Sequence, residues 1–295
     1  MSTAGRLRHA GFWRPVIAGA LGLLLALYLA LPVLWLLRTS LVAEIDAMSI
    51  PPRLIPDKLS LDAYALLFTG SASRPLIGVQ EIYEVLPSLG NSAIVATSVA
   101  LLNLLFGAPA AYALARLSFA ASRPLLFVYV LTRMVPLVAL MIPLYLAVRS
   151  AHLLDSRASL IIVDTALTLP FSVWLLKEYF ATVPRDIEDA ARVDRCTWLG
   201  MMLHVLLPVT VPGLIAAAMF AFMFAWNEFL FALLFTNTLA SKTVTVAVAG
   251  FISDLSLPRT VVAAAGILAL LPPVVGAMIL QRQITQGLVA GAVKG

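Results

Sequence analysis

Charged residues are scarce in this sequence. Only 12% of its 295 residues are Asp, Glu, Lys or Arg, whereas 61% are hydrophobic and the mean hydropathy is +0.98. A soluble protein carries about a quarter of its residues as charges, because charge keeps its surface in water. The scarcity excludes an ordinary soluble globular protein and indicates that most of the surface faces lipid.

Cysteine pairs and recognisable catalytic motifs are also missing. The single cysteine, Cys196, cannot form an internal disulfide, and no Cys and His cluster has the spacing of a metal site. No lysine ends a glycine-rich phosphate loop, and neither HExxH nor Gly-x-Ser-x-Gly occurs. The sequence therefore predicts a chain without catalytic residues, metal site or cofactor of its own. Its net charge of +5 is scattered in ones and twos, which argues against nucleic acid as a partner.

Long apolar runs fill most of the chain. About 20 predominantly apolar residues cross the hydrocarbon core as a helix, and a helix is required because lipid offers backbone groups no hydrogen-bond partner. Six runs meet this requirement, at residues 15–37, 93–115, 124–148, 158–176, 211–236 and 260–280. We predict an all-α membrane protein with six transmembrane helices in a single domain, residues 1–295.

The distribution of lysine and arginine predicts the orientation. These residues are denser in one set of connecting segments than in the other, and the denser set faces the cytoplasm. That set comprises residues 1–14, 116–123, 177–204 and 281–295. Both termini and a polar loop at 177–210 are therefore predicted to be cytoplasmic, and residues 38–90 are predicted to form an external loop with room for one short helix. Residues 15–37 are too long for a secretory signal and are expected to be an uncleaved first span.

Ionisable and amide side chains inside the spans are the first functional candidates. Arg133, Asp164 and Glu228 are ionisable residues at membrane depth, where they are costly unless they are paired or face water. Asn103 and Asn227 add hydrogen-bonding groups. These five residues either line a polar translocation path or pair and snorkel for structural reasons.

A stripe of small residues marks the fifth run. These residues recur at every fourth position, as Gly213, Ala217, Ala221 and Ala225. Small side chains let another helix approach closely, which is how helices associate in lipid. The stripe predicts packing within the chain or, alternatively, a subunit interface.

A short charged helix is predicted after Pro184. Acidic residues in its opening turns complement the helix dipole, and Glu188 can pair with Arg192 four residues later. The opposite face carries small apolar side chains that let a partner approach, namely Ile187, Ala190 and Ala191. A helix lying on lipid headgroups would instead carry bulky apolar residues and lysines.

This segment carries a family resemblance. "EDAARVD", followed by "LLPVTVPG", resembles the EAA loop of permease subunits in bacterial ATP-binding-cassette (ABC) importers. The stretches "NSAIVATSVALLNLLFGAPAAYALAR", "LPFSVWLLKEYFATVPRDIEDAARVD", "FAWNEFLFALL" and "GLVAGAVKG" are similar to the carbohydrate-uptake branch, and to the second, smaller permease type of maltose importers. The resemblance runs from Trp13 onward. It implies a type I importer permease in the bacterial inner membrane that takes part in sugar import.

The resemblance also implies partners and contact residues. In such importers the EAA loop is a coupling helix that sits in a cleft of a cytoplasmic ATPase. The expected partners are a second permease, two ATPase subunits that bind ATP and Mg, and an external solute-binding protein that meets the loop at 237–259. The residues expected to couple to the ATPases are Glu188, Asp189, Ala190, Ala191, Asp194 and Arg195, with Lys294 and Gly295 in the tail.

Two departures from the family pattern stand in the coupling segment. Asp189 occupies the usual glutamate position, and Arg195 occupies a usual glycine position where the chain turns between two helices. Arg195 must either adopt the turn conformation or lengthen the first helix.

Two other functions remain open from the sequence. A secondary transporter driven by an ion gradient would carry buried ionisable residues and interrupted helices, often with inverted repeats. A permease for amino acids or peptides would share the EAA loop. The solute itself is not specified by the sequence, and disaccharides, other small glycosides and glycerol phosphate esters all fit.

Overall fold

The fold was obtained as a computed structural model, which describes residues 4–51, 53–56, 58–69, 79–117, 122–132, 134–253 and 257–292. All regular elements of these residues are helical, which confirms the predicted all-α class. In chain order they are α1 (Ala4–Ser40), α2 (Glu44–Ala47), α3 (Asp62–Thr69), α4 (Val79–Arg116), α5 (Ser122–Thr132), α6 (Leu137–Ser150), α7 (Arg157–Thr182), α8 (Arg185–Val193), α9 (Trp198–Met201), a π-helical turn (Met202–Leu206), α10 (Leu207–Val209), α11 (Val211–Asn227), α12 (Leu230–Phe235), α13 (Val244–Ser253) and α14 (Arg259–Ala292).

Within the described residues, four helices are long and apolar enough to cross a bilayer without interruption. They are Val16–Ser40 of α1, Ile82–Arg116 of α4, the whole of α7, and Arg259–Met278 of α14. The helical stretches Trp198–Val209 and Val211–Asn227 meet at 84° and together make a fifth candidate. The count of six spans and the cytoplasmic termini stay predictions.

Two of the predicted spans are broken helices. The run 124–148 divides into α5 and α6, and Pro136 stands in extended conformation before α6. Proline lacks the N–H that would continue the helix and disfavours helical backbone at the residue before it, which explains the break. The run 211–236 divides into α11 and α12 at Glu228 and Phe229.

The helix that contains the second predicted span begins before that span. α4 starts at Val79, fourteen residues before the predicted start at 93, so the loop 38–90 holds α2, α3 and the first turns of α4. Hydropathy reports only the apolar part of a helix, whereas the first turns of α4 carry polar residues. The loop is therefore more helical than predicted.

By its internal contacts the chain divides into two compact units, residues 1–82 with 254–268 and residues 83–253 with 269–295. In the first unit the carboxylate of Glu44 caps α14, because it accepts hydrogen bonds from the backbone N–H groups of Arg259 and Thr260 at 2.9 and 3.0 Å. The hydroxyls of Ser40 and Tyr64 hydrogen-bond at 2.8 Å and join α1 to α3.

The second unit is built around the contact between α7 and α11. Gly213, Ala217, Ala221 and Ala225, the small stripe of α11, are all buried. The ring of Tyr179 lies against the backbone of Gly213, where an added Cβ would stand 2.3 Å from Cγ of the ring. Packing of the stripe within the chain is thereby confirmed.

The close approach at Gly213 gives a first prediction. Gly213→Ala should lower the free energy of unfolding by about 1–3 kcal/mol, because the new methyl group overlaps the ring of Tyr179 and forces a shift. Unfolding in mixed micelles measures it. Gly90→Ala is the matched control, since a Cβ there meets nothing within 4 Å. Equal stability of the two variants would contradict the packing described here.

Candidate functional site

The charged segment between the apolar runs forms helix α8. Pro184 precedes it with extended backbone angles, φ −60° and ψ 138°. Asp186 and Glu188 lie in its first turn and Arg192 in its last, an arrangement that complements the helix dipole. The helix is amphipathic, and its two faces differ in what they contact.

Glu188 points into the protein. Its side chain is only 4% exposed, and Oε1 accepts a hydrogen bond from Nε of Arg116 at 2.5 Å. Oε2 accepts a hydrogen bond from the hydroxyl of Tyr112 at 3.1 Å. Arg116 also donates from Nη2 to the carbonyl oxygen of Val183 at 2.5 Å. A buried, hydrogen-bonded ion pair therefore joins the end of α4, the end of α7 and the start of α8.

The predicted pair between Glu188 and Arg192 is wrong. Arg192 pairs instead with Asp189 through Nη1 and Oδ1 at 3.1 Å, and both side chains are about two-thirds exposed. A pair with Arg192 would require Glu188 to face solvent, whereas its carboxylate finds a buried cation and a phenol on α4. An exposed pair such as Asp189 and Arg192 contributes little to stability.

The two alanines of α8 lie on different sides of the helix. Ala191 is 5% exposed and packs in the core cluster with Phe180 and Met201, whereas Ala190 is exposed. The predicted smooth face of Ile187, Ala190 and Ala191 is thus divided, because Ile187 also packs against that cluster. The surface offered to a partner instead contains Asp186, Asp189, Ala190 and Val193.

Arg195 adopts the turn that the family pattern leaves to glycine. Its φ is 55°, in the left-handed region, directly after the last residues of α8. The N–H of Arg195 donates to the carbonyl of Arg192 and the N–H of Cys196 donates to that of Ala191, both at 3.0 Å. These two bonds form a Schellman motif, the usual helix ending with glycine at this position. Arg195 therefore ends the helix and does not lengthen it.

Substitution of Arg195 should show that its positive φ strains the backbone. Arg195→Gly is expected to raise the free energy of unfolding by about 1 kcal/mol, because a residue with a Cβ is disfavoured at positive φ. Unfolding in mixed micelles measures the change. Asp194→Gly is the control, since Asp194 has φ −73° and should gain nothing. A destabilised Arg195→Gly protein would show that the guanidinium makes a stabilising contact.

Residues 82–289 match the family described as the binding-protein-dependent transport system inner membrane component. The chain belongs to this family. It is a multi-pass permease of the bacterial inner membrane, as predicted.

Relatives of this permease are similar over nearly their whole length. The trehalose transport system permease protein SugB of Mycobacterium tuberculosis is 34% identical, and the match covers 98% of this chain and 99% of the relative. The sulfoquinovosyl glycerol transport system permease protein SmoH of Agrobacterium fabrum is 34% identical over 90% of this chain and 88% of its own. The trehalose/maltose transport system permease protein MalG of Thermococcus litoralis is 31% identical, and the match covers 95% of this chain and 96% of the relative.

A solved structure confirms the permease fold. One chain of a bacterial ABC transporter involved in the import of the acidic polysaccharide alginate superimposes with a TM-score of 0.77, covering 96% of this chain and 99% of that one. Its sequence is 21% identical, so the likeness establishes the fold alone.

Two of the predicted path residues lie in the interior of the permease. Asn103 is fully buried and donates from Nδ2 to Oγ1 of Thr168 at 2.8 Å. The Thr168 hydroxyl donates to the carbonyl of Asp164, one turn earlier on α7, at 2.6 Å. Asp164 is 1% exposed, and among the described residues its carboxylate oxygens have no hydrogen-bond partner. Thr168 therefore links Asn103 to the backbone of Asp164, and both predicted path residues are buried.

Asn227 and Glu228 lie at the break between α11 and α12. The carboxylate of Glu228 accepts hydrogen bonds from the N–H groups of Phe231 and Ala232 at 2.7 and 2.8 Å. It thereby satisfies donors that the break leaves free within an apolar run. Asn227 is exposed and lines an open groove of about 380 Å³. Within the described part of the chain, Asn227 is the predicted path residue that faces open space.

Three predicted site residues fall outside the described residues. These are Arg133, which follows α5 in the sequence, and the tail residues Lys294 and Gly295. Their roles stay predictions.

The sequence-based prediction missed Tyr112 and Arg116. Both lie on α4, one turn apart, at the end of the run "AYALAR". An arginine that closes an apolar helix one turn after a tyrosine suggests an anchor for an acidic group. Nothing in the sequence indicates which acid occupies it, because Glu188 is 72 positions away.

Proposed function

We propose that this permease subunit belongs to an ATP-driven importer of carbohydrates. The observation that carries the proposal is similarity over 88% or more of relatives named for transport of trehalose, of trehalose or maltose, and of sulfoquinovosyl glycerol. The shared chemistry of these solutes is a small glycoside with several hydroxyl groups.

The chain works as part of a complex in this proposal. A second permease completes the path, an external solute-binding protein delivers the sugar, and two cytoplasmic ATPase subunits bind ATP and Mg and carry out hydrolysis. The chain itself supplies no catalytic residue. Asp189, Ala190 and Asp194 on the exposed side of the α8 segment are the contact set for the ATPase. Glu188 and Ala191, which face inward, serve the same contact indirectly by holding α8 in place.

The geometry of α8 supports a mechanical role. Glu188, Arg116 and Val183 link α8 to the ends of α4 and α7 through short, buried bonds. When an ATPase displaces α8, these bonds pass the displacement to both spans instead of letting α8 move alone. The sharp turn at Arg195 then leads into the bent pair that ends in α11. Packed elements of this kind shift as rigid bodies, which suits them to alternate access.

Reconstitution tests the proposed function. The complete complex, assembled with its genetically linked partners in liposomes, should take up trehalose, maltose or a related glycoside from a labelled panel only with ATP inside. A Walker-lysine variant of the ATPase subunits should abolish uptake, because hydrolysis resides in those subunits.

The alternatives make different predictions in the same assay. Uptake driven by an ion gradient without the ATPases would support a secondary transporter. ATP-dependent uptake of amino acids or peptides, with none of the sugars transported, would assign the permease to another solute class.

A further inference from the structure

The turn between α6 and α7 holds two residues in an uncommon backbone conformation. His152 has φ 55° and Asp155 has φ 56°, although neither is glycine. Asp and His enter the left-handed region more readily than most residues, yet each such residue still costs about 1 kcal/mol or more. Such a conformation persists only where surrounding contacts hold it.

Asp155 makes those contacts with the segment that follows α12. Its Oδ1 accepts hydrogen bonds from the N–H groups of Asn237 and Thr238, both at 2.9 Å, and from the hydroxyl of Ser241 at 2.5 Å. Its Oδ2 accepts the hydroxyl of Thr238 at 2.7 Å, and its own N–H donates to the carbonyl of Phe235 at 2.7 Å. Burial acts to raise the pKa of Asp155, but the hydrogen bonds from Ser241, Thr238 and Asn237 outweigh it and hold that pKa well below its usual range.

α4 holds the same segment from another side. The amide nitrogen of Asn91 donates to the carbonyls of Leu239 and Lys242, both at 2.9 Å. Nζ of Lys242 pairs with Glu84 at 2.6 Å, and both side chains are largely buried. Residues 237–240, which we call the tip, are exposed. Hydrogen bonds to Asp155 and Asn91 hold their backbone from beneath.

The tip lies far from the coupling segment. Asp155 precedes α7 and α8 follows it, and the 26 residues of α7 extend about 39 Å. The tip and α8 therefore lie at opposite ends of a membrane-spanning helix. If α8 meets the cytoplasmic ATPase, the tip is on the outer face of the membrane.

The chemistry of the tip suits a protein surface. Its residues are Asn237, Thr238, Leu239 and Ala240, and Leu239 is 44% exposed. A lipid-binding loop would carry lysine and bulky apolar residues. The family to which the chain belongs depends on a binding protein.

We propose that Asp155 is a positioning residue that preorganises the tip for docking of the external solute-binding protein. The inference rests on the proposed function for its partner, and it adds the residue that fixes the docking conformation. A loop held in its bound conformation loses less entropy when a partner docks, so the bonds of Asp155 lower the cost of binding.

Hydrogen exchange tests the anchor directly. In the assembled complex in nanodiscs, Asp155→Asn and Asp155→Gly should both raise exchange of the amides at 237–240 by at least about tenfold, since the acceptor for Asn237 and Thr238 is weakened or lost. His152→Gly is the matched control, because it relieves the same kind of backbone strain three positions away without touching the tip. Asp155→Gly removes the backbone strain and the carboxylate together. Faster exchange in this variant is therefore due to the lost carboxylate and not to strain. Unchanged exchange in both Asp155 variants would overturn the anchor.

Binding of the partner tests the consequence. Labelled solute-binding protein, purified without added sugar, is titrated against the same nanodisc complexes. Asp155→Asn and Asp155→Gly should raise its Kd by on the order of tenfold, while basal ATP hydrolysis and the His152→Gly Kd stay at wild-type values. Wild-type affinity in the Asp155 variants would overturn the inference and leave the proposed function intact. Absence of binding by the wild-type complex would overturn the proposed function itself, and this inference with it.

Discussion

Replacing Glu188 by alanine should cost about 3–5 kcal/mol of unfolding free energy, because it leaves Arg116 as an unpaired cation in a buried site. The side chains of Arg116 and Glu188 are 9% and 4% exposed, so solvent cannot compensate for the loss. Unfolding in mixed micelles measures the change. The assembled complex should also lose coupling between ATP hydrolysis and uptake, since α8 would no longer be fixed to α4.

The neighbouring acid provides the control. Asp189→Ala removes a carboxylate from an exposed pair and should change stability by less than about 1 kcal/mol. It should still weaken the contact with the ATPase, so both substitutions lower coupling but only Glu188→Ala lowers stability. In a double-mutant cycle, Glu188→Ala with Arg116→Ala should cost less than the sum of the single changes. Additive losses, or equal stability of the Glu188 and Asp189 variants, would refute the buried anchor.

Tryptophan at Ala190 should abolish coupling without affecting the fold. Ala190 is exposed on α8, so a bulky ring there leaves the packing of the permease intact but blocks close approach of an ATPase. We expect uptake and sugar-stimulated ATP hydrolysis to fall by at least about tenfold, which corresponds to about 1.4 kcal/mol or more of lost contact energy. Transport by the reconstituted complex and the thermal midpoint of the permease are the two measurements.

The same change at Ala191 should act through folding. Ala191 is buried with Phe180 and Met201, so a tryptophan there overpacks the core and lowers the thermal midpoint. Ala181→Trp, at an exposed alanine near the end of α7, controls for bulk added close to α8. Normal coupled transport in Ala190→Trp would contradict the proposal that the exposed face of α8 contacts the ATPase.

Much of the fold follows from the sequence because lipid imposes a simple rule. A long apolar run must be helical in a bilayer, so the class and four uninterrupted spans were predictable from hydropathy. The breaks near Pro136 and at Glu228 were less accessible. Both runs stay apolar on average across the interruption, and a window of hydropathy does not register where backbone hydrogen bonds stop.

The coupling helix α8 is likewise only partly predictable from the sequence. The sequence places Glu188, Asp189, Ala190 and Ala191 on one short helix, but consecutive residues of a helix point in different directions. Which of them faces a partner depends on how α8 rotates against α4 and α7. That rotation is set by Arg116 and Tyr112, which the periodicity of α8 does not report.

The sequence by itself determined that this chain is a helical membrane permease and that residues 184–195 are its distinctive polar segment, because composition and local order are properties of the chain. Only the tertiary structure decided that Glu188 is an internal anchor, that Arg195 ends α8 at positive φ, and that Asp155 holds the tip at 237–240. The anchor and the tip depend on pairs far apart in sequence, and the turn at Arg195 depends on how the packed chain leaves α8. Such geometry forms only when folding brings the helices together.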